Sequence, residues 1–349
     1  MAYTNIDDPS AYFQTALYTG TSSNQAITNN GNSDMQPDCI AFKTRSNEAQ
    51  GLNIDSSRGV DGLLSWTQTN GEFVEANNDL ESFDSNGFTV GVGSSGRINT
   101  SGRTYAAWQW KANGGTTSSN TDGSKTATVQ ANTDAGFSIV TYAGSGTAAT
   151  VGHGLADTPD VIIFKNRSAA NVWAVYHQGL GNNLKLVLNT ADAQDADGAF
   201  MNGTLPTSSV FSVGASVNTN GSGSNYVAYC FAEKQGYSKF GKYVGNGNAN
   251  GTFVYTGFKP AWVMTKEIGA TGAWVIYDNK RSTTSNPQDK YFSANTSDAE
   301  ATFTQYDFVS NGFKFRTSGS ENGSGLTHIY MAFAENPFTT STGIPTTAR

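Results

Sequence analysis

The sequence predicts an all-β chain built from three tandem, diverged β-sandwich-like modules. Its apolar segments are short and bounded by Gly, Asn, Ser or Asp. β-Branched and aromatic residues dominate them, and none has room for a long amphipathic helix. A set of sequence anchors also recurs three times in the same order.

The first anchor is Pro37-Asp38-Cys39-Ile40-Ala41-Phe42-Lys43-Thr44-Arg45-Ser46. It matches Pro159-Asp160-Val161-Ile162-Ile163-Phe164-Lys165-Asn166-Arg167-Ser168, and a third copy runs from Pro260 to Lys266. The copies are 122 and then 101 residues apart. Upstream, Tyr18-Thr19-Gly20 matches Tyr142-Ala143-Gly144 and Tyr243-Val244-Gly245. Downstream, Trp173-Ala174-Val175-Tyr176 matches Trp274-Val275-Ile276-Tyr277. Phe88, Phe211 and Phe313 fall in a further matched run, so each should occupy one equivalent buried position, as should Phe42 and Phe164. Each copy closes on an aromatic strand, at Tyr105–Trp110, Tyr226–Glu233 and Ile329–Glu335.

These anchors divide the chain into module 1 (residues 1–112), a linker or long loop (113–127), module 2 (128–236), module 3 (237–338) and an extended tail (339–349). The Gly/Ser/Thr/Asn-rich stretch from Asn113 to Ser124 reads as the linker. No such spacer separates modules 2 and 3, which should pack tightly. Whether the modules ring a pseudo-threefold axis or form a linear array is left open. The segments Met1–Pro9 and Pro337–Arg349 are polar, extended and Pro-bearing, and are expected to order only against other chains.

Composition narrows the function. Charged residues are 14% of the chain and its formal net charge is −7, with no Lys/Arg run, which argues against nucleic acid as a partner. No stretch approaches the roughly 18 apolar residues of a spanning helix, so membrane insertion is not expected. The N-terminus shows no basic and apolar leader, so synthesis in a cytoplasm without a signal peptide is expected. Cys39 and Cys230 sit in apolar runs and read as buried free thiols.

Candidate chemistry is sparse. Gly91–Gly96 fits a dinucleotide-binding pattern but precedes no helix, so it reads as a turn. Asp192–Gly198 has the wrong spacing for a calcium loop. His153, His177 and His328 lack metal-ligand spacing, and His177 aligns with Asp55 and Asp278. No metal or cofactor is expected. Glu72, Glu75, Asp79 and Glu81 are carboxylates that a glycosidase would need in pairs, though a charged loop explains them. Trp173, Trp262 and Trp274 lie on strand-like runs and read as core. Trp66, with Gln68 and Asn70 beside it, is the candidate glycan contact, because a ring can pack on a sugar while amides take its hydroxyls.

Several longer motifs carry a resemblance. Tyr12–Thr21, Met35–Asp38, Tyr226–Glu233, Gly236–Gly241, Phe253–Met264 and Met331–Phe338 resemble virion-associated proteins of phages of marine bacteria, a group often labelled tail or fibre proteins. The resemblance implies a virion structural protein, tail- or fibre-associated and contributing to host-surface attachment, and not an enzyme. It implies other virion proteins, copies of the chain itself and a host surface glycan as partners, and it supplies no catalytic residues. A capsid decoration protein and a glycan-acting enzyme on a β scaffold are the alternatives. One departure stands out: Cys39 follows Pro-Asp where such relatives tend to carry Trp.

Overall fold

The computed structural model describes residues 2–74, 79–93 and 96–346. Among the described residues strand follows strand, broken by two single-turn 3-10 helices, Pro9–Ala11 and Ser320–Asn322. Module 1 holds β1 (Phe13–Thr19), β2 (Gln25–Thr28), β3 (Cys39–Thr44), β4 (Leu52–Asp55), β5 (Leu64–Ser65), β6 (Leu80–Asp84), β7 (Gly87–Val90) and β8 (Thr104–Trp110). Module 2 holds β9 (Ser118–Asn120), β10 (Ala127–Asn132), β11 (Phe137–Ala143), β12 (Ala149–Gly152), β13 (Val161–Asn166), β14 (Ala174–His177), β15 (Leu184–Val187), β16 (Asp195–Ala196), β17 (Val210–Val213) and β18 (Asn225–Phe231). Module 3 holds β19 (Ser238–Val244), β20 (Phe253–Tyr255), β21 (Phe258–Glu267), β22 (Trp274–Asp278), β23 (Gln288–Ser293), β24 (Ala301–Val309), β25 (Gly312–Phe315) and β26 (Thr327–Pro337).

The modules share one topology. The order β1-β8-β3-β4-β5 in module 1 is repeated as β11-β18-β13-β14-β15 and as β19-β26-β21-β22-β23. A second layer, β2-β7-β6 in module 1 and β12-β17 in module 2, covers one face. In module 3 the sheet itself runs on through β24, β25 and β20, past a register shift between Gln288 and Lys290. Such irregularities bend a strand and help a sheet curl over its own face.

Register fixes the equivalences. Thr44 pairs with Tyr105, Asn166 with Tyr226 and Glu267 with His328. Phe88, Phe211 and Phe313 lie opposite Ile27, Val151 and Val254, all three fully buried. Phe42 and Phe164 also coincide, opposite Ala107 and Ala228. The triplication read from the sequence is therefore a structural triplication.

The last strand of each module explains how the copies are assembled. Along β8, Tyr105 and Ala107 face the module's own core, while Ala106, Trp108 and Trp110 face away from it. β18 divides in the same way, with Val227, Tyr229 and Phe231 facing away, and so does β26, with Ile329, Met331 and Phe333. Period-two alternation puts these sets on opposite faces. The three outer sets converge in one core shared by all modules. Trp110, Phe231 and Phe333, which are equivalent by register, meet pairwise at 6.2, 5.7 and 5.9 Å between ring centroids. The modules thus surround a pseudo-threefold axis rather than forming a linear array. A cavity of about 70 Å³ lies in this core, lined in part by Cys39, Trp110, Trp262 and Met331. Register makes Cys39 and Trp262 equivalent, so a thiol stands where module 3 has an indole.

Two expectations are corrected. The termini do not wait for another chain. Ile6 is buried, the Tyr3 hydroxyl donates to Gly257 O at 2.6 Å, and its ring meets Phe338 edge-on at 6.3 Å. Ser341 N donates to Asp7 Oδ1 at 2.6 Å. The apolar anchors Tyr3, Ile6 and Phe338 tie both ends to module 3. The stretch 113–127 is likewise no free spacer, because β9 pairs with β10 and the amides of Gly114 and Gly115 donate to the Asp38 carboxylate at 2.9 and 2.8 Å. Both cysteines are free and buried, as expected.

Phe333 touches both other axial rings, so Phe333→Ala should cost about 3–5 kcal/mol. Denaturant unfolding followed by tryptophan fluorescence and by far-UV circular dichroism should shift to one lower midpoint. Separate transitions for the two probes would mean that the modules do not unfold together.

Candidate functional site

The residues between modules carry most of the buried chemistry. Arg167 of module 2 grips Glu72 of module 1 with Nε and Nη2, both at 2.8 Å. Glu72 also accepts from Arg58 Nη1 at 2.8 Å, and Arg58 Nε donates to Asp55 at 2.6 Å. The hydroxyl of Tyr229, from module 2, closes the chain on Asp55 at 2.6 Å. The seam between modules 1 and 3 repeats this arrangement. Arg45 grips Glu300 at 2.9 and 3.0 Å, Glu300 accepts from Arg281, and Arg281 pairs with Asp278 at 2.5 Å. Trp108 Nε1 of module 1 closes that chain on Asp278 at 2.9 Å.

The third seam keeps the geometry and loses the carboxylate–arginine chain. Register places His177 where Asp55 and Asp278 stand, and Leu180 follows at the arginine position. Met331 replaces the donors Trp108 and Tyr229. With no donor to hold a carboxylate, a neutral ring serves better: His177 Nε2 lies 3.1 Å from Tyr330 O. Burial lowers the pKa of His177 to about 4, against the smaller upward pull of that carbonyl.

Main-chain bonds complete the ring of seams. Glu72 N donates to Arg167 O, Gln194 N to Ile268 O and Glu300 N to Arg45 O, at 2.7, 3.0 and 2.9 Å. Lys43, Lys165 and Lys266 are buried at equivalent positions, each with Nζ on a carbonyl of the neighbouring module: Thr296, Thr69 and Ala191. Burial lowers each ammonium to about 8. The Phe-Lys-x-Arg motif of modules 1 and 2 therefore marks two seams, and its lysine alone, Lys266, marks the third, a role that spacing alone does not disclose.

The glycan reading of Trp66 is corrected. Trp66 is 6% exposed, and its Nε1 donates to Phe42 O at 3.3 Å. Trp173 and Trp274 instead donate across seams, to Ser65 O at 2.8 Å and Val187 O at 2.9 Å. Register gives module 1 Gly51 at their position. A Cβ on Gly51 would lie 1.8 Å from Trp66 Nε1, so the Trp66 ring fills the space that the missing indole leaves. Gln68 is half-buried and Asn70 exposed, and Thr69 between them is the seam carbonyl that receives Lys165. The loop is an inter-module joint with no open ring face.

Other candidates resolve similarly. Glu72 is an ion-pair partner, Asp79 is buried, Glu81 is half-buried, and Glu75 lies outside the described residues. So do Ser94 and Ser95 of the Gly91–Gly96 stretch. Within Asp192–Gly198, Gln194 serves a seam, and Asp195 and Asp197 lie beside Lys185 Nζ. His153 and His328 are buried, and burial lowers the pKa of each. Among the described residues, no group of three or more His, Cys, Asp or Glu is placed to hold a metal. No helix among them is long and apolar enough to cross a membrane.

Open space remains where the first strand of one module faces the turn after the fourth strand of the next. Between modules 1 and 3 the cleft measures about 300 Å³ and is lined by Gln14, Thr15, Asn30, Asn279, Lys280 and Glu335. Between modules 3 and 2 it is larger, about 580 Å³, and holds Asp160, Gln178, Glu233, Lys239 and Lys242. Burial raises Asp160 to about 6 there. The third equivalent position is filled: Gln130 of β10 donates to Ser56 and Ser57 at 3.0 and 2.8 Å, and accepts from Asn113 N and Gly115 N.

Fold and seams together define a single-chain, pseudo-threefold β-protein with inter-module clefts as its open polar sites. The chain belongs to the DUF7483 family, a domain of unknown function, matched over residues 8–337 and so across all three modules. No curated protein and no solved structure matches it.

Two outcomes follow from the seams. Arg58→Ala strands Asp55 and should cost about 3–5 kcal/mol in denaturant unfolding, while Leu180→Ala, with no charge involved, should cost less. His177 stays neutral in the fold while the unfolded chain takes up a proton near pH 6.5. Its contribution is therefore intact above that pH and declines toward pH 4, by about 3 kcal/mol at the limit. The stability difference between the native chain and His177→Gln should narrow over that window. A constant difference would show that His177 is not held neutral.

Proposed function

We propose that this chain is a structural component of a bacteriophage particle, tail- or fibre-associated, contributing to attachment at the host surface. The observation that carries the reading is the pseudo-threefold axis. A single chain whose three modules ring one axis matches the symmetry of a three-chain assembly, and symmetric neighbours favour partners that repeat their spacing. The motif resemblance of Tyr226–Glu233 and Met331–Phe338 to virion-associated proteins supports it. So does the build. Two seams are bridged by ion pairs, Arg167–Glu72 and Arg45–Glu300, each backed by a buried pair on one side, and every module shares one core, as a part that transmits load needs.

The surface fits the same role. Val244, Phe253, Tyr255, Phe303 and Leu326 are all exposed on module 3, together offering apolar area to a neighbour. Copies of the chain, other virion proteins and a host glycan are the partners in this reading.

The test is to raise antibody against the purified chain and apply it to gradient-purified particles from a lysed culture that encodes it. Label at the tail, with the chain present in the particles by mass spectrometry, is expected. Recovery of the chain only in the soluble fraction would overturn the proposal, and label on the head would reassign it to capsid decoration.

A further inference from the structure

β1 is the outer strand of its sheet. Tyr12 O accepts from Lys111 N, and Gly20 N donates to Arg103 O, so the even-numbered residues between them bond to β8. Thr15, Leu17 and Thr19 turn their main-chain N–H and C=O groups the other way, toward the cleft and the surface beyond it. The two equivalent edges are both protected. In module 2 the edge of β11 is covered by β10, with Gln130 opposite Ile139 and Thr128 opposite Thr141. In module 3 the Phe240 carbonyl on the edge of β19 accepts from Gln178 Nε2 at 2.7 Å, and the next outward residue is Lys242, a charge that discourages strand pairing.

Module 1 lacks both protections. By register, Thr15 stands where Phe240 and Ile139 stand, and Leu17 where Lys242 and Thr141 stand. The facing turn offers Asn279 in place of Gln178, with both main-chain amides bonded to equivalent carbonyls, Ala261 and Asp160. Asn is shorter by one methylene, and its Oδ1 is buried without a partner. Thr15 is 7% exposed, and its Oγ1 is also buried without a partner. Leu17 is 36% exposed. The edge therefore presents two unmet side-chain acceptors, a row of outward main-chain groups and an apolar contact.

We propose that the β1 edge is a docking site for an extended segment of a partner polypeptide, which adds to the sheet as β10 adds to β11. Main-chain pairing supplies the affinity, and the side chain opposite Thr15 supplies the selectivity. That side chain is an amide, because Gln130 at the equivalent position donates to the facing turn. The occupant is uncharged, of small and β-branched residues with Gln opposite Thr15, the chemistry of Ala127–Asn132. This inference does not rest on a virion role. It follows from one position that is filled in module 2, capped in module 3 and open in module 1.

The experiment uses the full chain and a labelled peptide with the sequence of residues 126–133. Fluorescence anisotropy should show saturable binding, and hydrogen exchange at the Thr15 and Leu17 amides should slow by about tenfold or more on saturation. Leu17→Lys installs the charge of module 3, and Asn279→Gln installs its cap. Each should weaken binding by about tenfold or more, and a peptide with Val in place of Gln130 should bind more weakly still. Unchanged melting temperatures in both variants separate this effect from misfolding. Absence of saturable binding overturns the proposal. So does binding that leaves Thr15 and Leu17 unprotected, or affinity indifferent to both variants. Oligosaccharide that protects these residues while the peptide does not would assign the cleft to sugar instead.

Discussion

Everything in this molecule depends on the contact of three sheet faces around Trp110, Phe231 and Phe333. A lone sandwich exposes the outer faces of its sheets and decorates them with polar residues. Here the outer faces of β8, β18 and β26 are apolar as well, so each central strand is buried on both sides. Such a module alone would leave a broad apolar face in water. Closing three of them on one another removes that face, at the cost of burying loop backbone and charged side chains at the seams. The interlocking carbonyl, amide and lysine contacts satisfy those groups.

Divergence among the copies respects that constraint. The donor, the carboxylate and the arginine of a seam persist or vanish as a set. Trp108 goes with Asp278 and Arg281, Tyr229 with Asp55 and Arg58, and Met331 with His177 and Leu180. A buried carboxylate without its donor and its arginine would be an unpaired charge in a medium that cannot solvate it. Trp66 shows the same logic in packing, because its ring occupies the volume vacated at Gly51. Cys39 is the exception. Its thiol replaces the indole seen at Trp262, and a cavity beside the axis remains.

Much of the fold was legible in the sequence because repeats expose themselves as recurring anchors. The Pro-Asp starts, the Phe42/Phe164 pair and the Phe88/Phe211/Phe313 set all occupy the places that alignment gave them. The closure of the ring was not legible. Strands buried on both faces lose the polar alternation that would reveal which face meets which neighbour. Trp66 misleads because a ring beside Gln68 and Asn70 looks surface-bound, and only Gly51, fifteen positions earlier, says otherwise. The open edge at β1 was invisible for a related reason: it is defined by a difference of one methylene between Asn279 and Gln178 at positions that only the register makes comparable. The termini mislead because three apolar anchors in polar segments outweigh the composition around them.

If the shared core holds the molecule together, no module should fold without the others. Residues 1–112 expressed alone test this most directly. The account predicts a chain without cooperative unfolding that binds a hydrophobic dye such as ANS, as an uncovered β8 face requires. A monomeric fragment with dispersed amide resonances and a sharp, cooperative unfolding transition would contradict it, and would make the three modules independent domains that merely touch.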